Sequence, residues 1–107
     1  MIPVLRLIGH DSEHSYYVLT VGSEAEKFLF STRGGISLIS PYDAVRTLRA
    51  DIRVLTDNIT GKYTVYGRRT VVMTREKIKR CEACLLALQT EFPEVRNDLN
   101  MLPELDS

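Results

Sequence analysis

Two imidazoles four residues apart, His10 and His14, and two thiols three residues apart, Cys81 and Cys84, are the side chains best suited to chemistry. Together they make up the ligand set of a tetrahedral Cys2His2 zinc site. The order is inverted relative to a zinc finger, however, and the two halves lie far apart in the chain. Free cysteine is among the most buried residue types and packs as a small hydrophobe, so core packing is the plainer expectation and no metal ligand is assigned. As a redox pair Cys81-Glu82-Ala83-Cys84 fits poorly, because thioredoxin-type cysteines stand at a helix N-terminus and these fall in mid-helix. Imidazoles can move protons near neutrality. Yet Asp11-Ser12-Glu13 between them is the polar sequence of a turn, and the chain has no G-x-S-x-G, P-loop or H-E-x-x-H motif. No enzyme activity, cofactor, catalytic residue or small-molecule substrate is therefore expected.

Charge supplies a second constellation. Residues 53–90 carry eight basic side chains against three acidic ones, a net +5, while residues 91–107 carry −4 and residues 1–52 carry −1. Lys62, Tyr66, Arg68, Arg69, Arg75, Lys77 and Arg80 are the candidate partner-binding residues. Cations beside a stackable aromatic suit phosphate and base contacts. Arginine and tyrosine also dominate protein–protein hot spots. Solvated surface is the plain alternative. Arg33-Gly34-Gly35 could offer backbone amides to a phosphate, but paired glycines are far commoner as turns.

These groups need a scaffold. Residues 4–8, 15–21, 28–30 and 36–39 read as strands, rich in β-branched and aromatic residues and separated by turn signals at Gly9, Gly22 and Gly34-Gly35. Their short spacing argues for an antiparallel meander, because parallel strands need long crossovers. Each strand is read as having about one apolar face. Ser40-Pro41-Tyr42-Asp43 then opens a helix with an N-cap hydroxyl, a proline at the first position and an acid in the first turn. Its stripe is Tyr42, Val45, Leu48, Ile52, Leu55 and Ile59, with Gly61 beyond its end.

Residues 62–73 are read as a β-hairpin with Gly67-Arg68 as a II′ turn. That register shows Lys62, Tyr66, Arg69, Val71 and Met73 outward, a hint of an apolar patch. Thr74 is read as the cap of a second helix with the stripe Ile78, Cys81, Leu85, Leu88 and Phe92, stopped by Pro93.

The fold expected is α+β: an antiparallel sheet, made of a meander of about four strands plus the later hairpin, with two amphipathic helices on one face. Residues 1–92 form one domain, and 93–107 an acidic C-terminal tail or short docked helix that could lie over the basic face.

The 107 residues, 44% hydrophobic and 26% charged, suit one globular domain and exclude wholesale disorder. Two cysteines are too few for a disulfide scaffold, and no apolar run reaches the ~18 residues of a membrane span. A cytoplasmic location without membrane attachment is the default. The expected function is a small protein–protein interaction module that uses the basic, tyrosine-bearing hairpin and the start of the next helix, with self-association as a homodimer one form of it. The alternative is nucleic-acid binding through the same residues, against which a net charge of zero weighs.

Overall fold

A computed structural model describes residues 2–22, 26–60 and 68–97. Strands β1 (Val4–His10), β2 (Ser15–Val21), β3 (Glu26–Thr32) and β4 (Ile36–Leu38) precede helices α1 (Pro41–Thr60), α2 (Arg68–Glu91) and α3 (Pro93–Asn97). The strands form one antiparallel sheet in the order β1-β2-β3-β4. This is the α+β meander expected, with both main helices on one face.

Cross-strand partners share a face, so the register sorts the side chains. Val18 pairs with Leu29 and Tyr16 with Ser31, all four buried beneath the helices. Between Leu7 and Gly9 the register of β1 shifts by a bulge at Ile8. Ile8 packs against the core, and Gly9, now opposite Tyr16, faces Cys84. The β3–β4 turn is tight: Gly34 takes φ 75, and the Arg33 N–H donates to the Gly35 carbonyl at 3.1 Å. That left-handed backbone is why glycine stands there.

The α1 cap is as expected, since the Ser40 hydroxyl accepts the Asp43 N–H at 3.1 Å. Ala44, Val45, Leu48 and Leu55 are buried along α1, against Cys81, Cys84, Leu88, Phe92 and Val95. Phe92 separates α2 from α3, and the buried Val95 packs α3 into the core.

One element differs from the expectation. Residues 68–73, read as the turn residue Arg68 and the returning strand 69–73 of a hairpin, form the first turns of α2. Thr70-Val71-Val72 has a local strand preference, but Val71 and Thr74 extend the stripe of Ile78, Cys81, Leu85 and Leu88 at gaps of three and four. Burial along that stripe outweighs a propensity difference of a few tenths of a kcal/mol per residue. Thr74 is accordingly no cap; its hydroxyl donates to the Thr70 carbonyl at 2.8 Å, one turn back inside the helix. The other half of the expected hairpin, with Lys62 and Tyr66, lies outside the described residues, as do residues 98–107.

Candidate functional site

The structure brings the histidine turn and the two thiols together, but through carboxylates. Asp11, buried in the turn after β1, accepts the Glu13 N–H at 2.7 Å, the His14 N–H at 2.5 Å and the Tyr16 hydroxyl at 3.0 Å. The Nδ1 of His14 lies 3.2 Å from both of its oxygens. Asp51, one helix away on α1, accepts the Ser12 N–H at 3.1 Å and the Ser12 hydroxyl at 2.8 Å. The Cys81 thiol donates to the same Asp51 oxygen at 3.4 Å. The Asp51 contacts thus tie the β1–β2 turn to α1 and α2, while those of Asp11 brace the turn itself.

Of the four candidate ligands, these bonds occupy His14 and Cys81. Among the described residues, no group of three or more His, Cys, Asp and Glu side chains is arranged to hold a metal ion. Burial, then the hydrogen bond and charge of Asp51, pushes the Cys81 thiol up to about 12. Burial and the charge of Asp11 do the same to Cys84, also to about 12. Burial first, and then Asp11, raises the Tyr16 phenol as well. Thiols that hold their protons at neutral pH are poor nucleophiles and poor metal ligands. Their visible role is packing: a Cβ built on Gly9 would stand 2.8 Å from both Cβ and Sγ of Cys84. Small side chains there let β1 and α2 approach closely.

The basic candidates separate. Arg68 and Arg69 open α2, and Arg75, Lys77 and Arg80 are exposed along it. A helix turns about 100° per residue, so Arg75 stands about 160° around the axis from Lys77, whereas Lys77 and Arg80 are about 60° apart. Lys77 and Arg80 line a pocket of about 190 Å³ with His10, Asp11 and Ser12. Arg75 looks the other way. The apolar residues expected on an outward hairpin face divide too: Val71 is half-buried on the α2 stripe and Met73 is exposed. Of the acidic residues near the C-terminus, Glu91 is committed to the sheet rather than to these cations. It accepts hydrogen bonds from Lys27 Nζ at 2.9 Å and Arg6 Nη2 at 2.6 Å, which hold its carboxyl below the usual carboxylate range.

An apolar surface that the core does not account for lies on the far side of the sheet. Leu5 pairs with Leu19 and Leu19 with Phe28; Leu7 pairs with Tyr17, Tyr17 with Phe30 and Phe30 with Leu38. No described element covers this face. Leu5 is 61% exposed, Leu7 56%, Ile36 77% and Leu38 66%. Leu5, Tyr17, Leu19, Phe30, Thr32 and Ile36 line an open groove of about 490 Å³ with no charged group among them. Reading each strand as one-faced misses it. The signal was present, since Tyr16-Tyr17-Val18-Leu19 and Phe28-Leu29-Phe30 are apolar at both parities, the pattern of strands covered on both sides. No helix of the described residues is long and apolar enough to cross a membrane. No family model, curated protein or solved structure matches this chain.

Proposed function

We propose that the chain is a non-enzymatic protein-interaction module whose contact surface is the uncovered face of its sheet. The observation that carries this reading is the contiguous apolar surface of Leu5, Leu7, Tyr17, Phe30, Ile36 and Leu38. Apolar patches of this extent on a small domain mark interaction sites. The absence of enzyme chemistry from this reading is supported by thiols that stay protonated and by His14, held on the Asp11 carboxylate. Free cysteines suit a reducing compartment, so a cytoplasmic location accompanies the proposal.

Nucleic-acid binding keeps one observation in its favour: Lys77 and Arg80 make no ion pair among the described residues and flank His10 in the pocket. Two such cations, with Arg75 turned away, offer a smaller electrostatic footprint than the sheet offers apolar surface.

A photoreactive benzoylphenylalanine placed in turn at Ile36 and at Glu82, an exposed position on α2, tests the main reading in expressing cells. Protein adducts are expected from Ile36 at several times the yield from Glu82. Equal yields, or none from Ile36, would overturn the assignment.

A further inference from the structure

We infer that the occupant of this face is a second copy of the chain, packed sheet to sheet about a two-fold axis. The inference rests on the reading of that face as the contact surface and adds the identity of the partner.

Charge points first to self-association. The groove residues carry none, so two copies of the face meet without burying a like-charge pair. The nearest charges stand at the margins: Glu26, paired with Val21 at one end of β3, and the Glu13–Arg33 ion pair beside the turns at the other. Both members of that pair are well exposed, so they can remain in the rim of an interface. The competing occupant within the chain is the segment 98–107. It brings Leu99, Met101, Leu102 and Leu105, but with them Asp98, Glu104 and Asp106 and no basic residue, and the face gives those acids no cation. A copy of the face matches it better than the segment does.

Area points the same way. With Leu5, Leu7, Ile36 and Leu38 more than half exposed around Tyr17, Leu19 and Phe30, the apolar surface runs across all four strands, the breadth that an interface approaching the ~800 Å² per partner of a standard one requires. Geometry permits the pairing, because sheets pack face to face about 10 Å apart with their strands roughly aligned. The same patch serves on both copies, as a two-fold contact requires. The product is a four-layer particle, helices outside and two four-stranded sheets within. An interface at the low end of the standard range is expected to dissociate on dilution through roughly the micromolar range.

Sedimentation velocity on the purified chain over a wide concentration range tests this. The expected result is a shift from the mass of one chain to that of two, with the midpoint moved about 100-fold or more upward in Leu7→Glu/Leu38→Glu, where each interface would bury four carboxylates. Circular dichroism checks that the variant is folded. An independent measurement needs no such variant. Mixed light and heavy isotopic forms of the Ile36 photo-crosslinker protein are expected to give mixed-isotope peptides joining position 36 to β1, β2 or β4 of the other copy.

A dimer that persists in the folded variant would overturn the inference, as would single-isotope crosslinks to 98–107. A chain monomeric throughout, with cellular adducts to other proteins still formed at Ile36, would overturn the second copy and leave the interaction module standing. A monomer without such adducts would overturn both.

Discussion

The two faces of this one sheet are built from similar residues and meet opposite fates. Tyr16, Val18 and Leu29 on the inner face are at most 2% exposed, sealed by α1 and α2. Tyr17, Leu19 and Phe30, their immediate neighbours in the chain, look out onto the groove. Composition does not separate the two sets; cover does. An apolar face sealed within its own chain contributes to that chain's stability, whereas an open one contributes only when something else arrives.

Paired truncations would sharpen that contrast most. Leu29→Ala is expected to cost about 3 kcal/mol in urea unfolding, the usual loss when a buried leucine leaves a cavity. Leu38→Ser, measured in dilute solution where no partner is bound, is expected to stay within about 0.5 kcal/mol of wild type. Similar losses from the two would erase the distinction between the faces.

The close approach of β1 to α2 comes next. Gly9→Ala puts a methyl group 2.8 Å from Cys84 Cβ and Sγ and is expected to cost about 1–3 kcal/mol through overpacking. Cys84→Ala should not rescue it, because the Cβ that remains is itself one of the crowded atoms. Full rescue would mean that contact with the sulfur alone sets the spacing.

The smallest effect concerns how dry the covered side is. Above about pH 8.5 the thiols of the unfolded chain ionise. Those of Cys81 and Cys84 keep their protons to about 12. The folded state then binds more protons than the unfolded one, so stability falls as pH rises, by up to about 1.4 kcal/mol per pH unit for each thiol. Urea midpoints at pH 7.5 and 9.5 should diverge less in Cys84→Ala than in wild type. An unchanged divergence would mean that the Cys84 thiol titrates freely in the fold.

What the sequence discloses depends on the range of the interaction that decides each element. Helix α1 was legible down to its cap because Ser40 and Asp43 are near neighbours and the apolar stripe is unbroken. The β3–β4 turn was legible for the same reason. The start of α2 was not: Gly67-Arg68 and Thr70-Val71-Val72 imitate a hairpin locally, whereas residues 68–73 are helical and Val71 and Thr74 continue the half-buried stripe of α2. The polar network was half legible. Asp11-Ser12-Glu13 announces a turn, but nothing near Asp51 says that it will anchor Ser12 from thirty-nine positions away. The split of Lys77 and Arg80 from Arg75 was within reach of the sequence, since all three fall in the expected second helix, where residues two apart stand on nearly opposite sides.

The bulge at Ile8 bears on how this chain can change over generations. Before it, Leu5 and Leu7 belong to the outer surface; after it, Gly9 belongs to the inner one. Strand β1 therefore carries a built-in phase shift, supplied by the one residue that the ladder leaves unpaired. Swapping one aliphatic residue for another at Ile8 preserves the reading frame of inside and outside. Losing Ile8 would set Leu7 and Gly9 in regular alternation, so the bulge would vanish while the leucines stayed outside and the glycine inside; what would go is the side chain that Ile8 adds to the core.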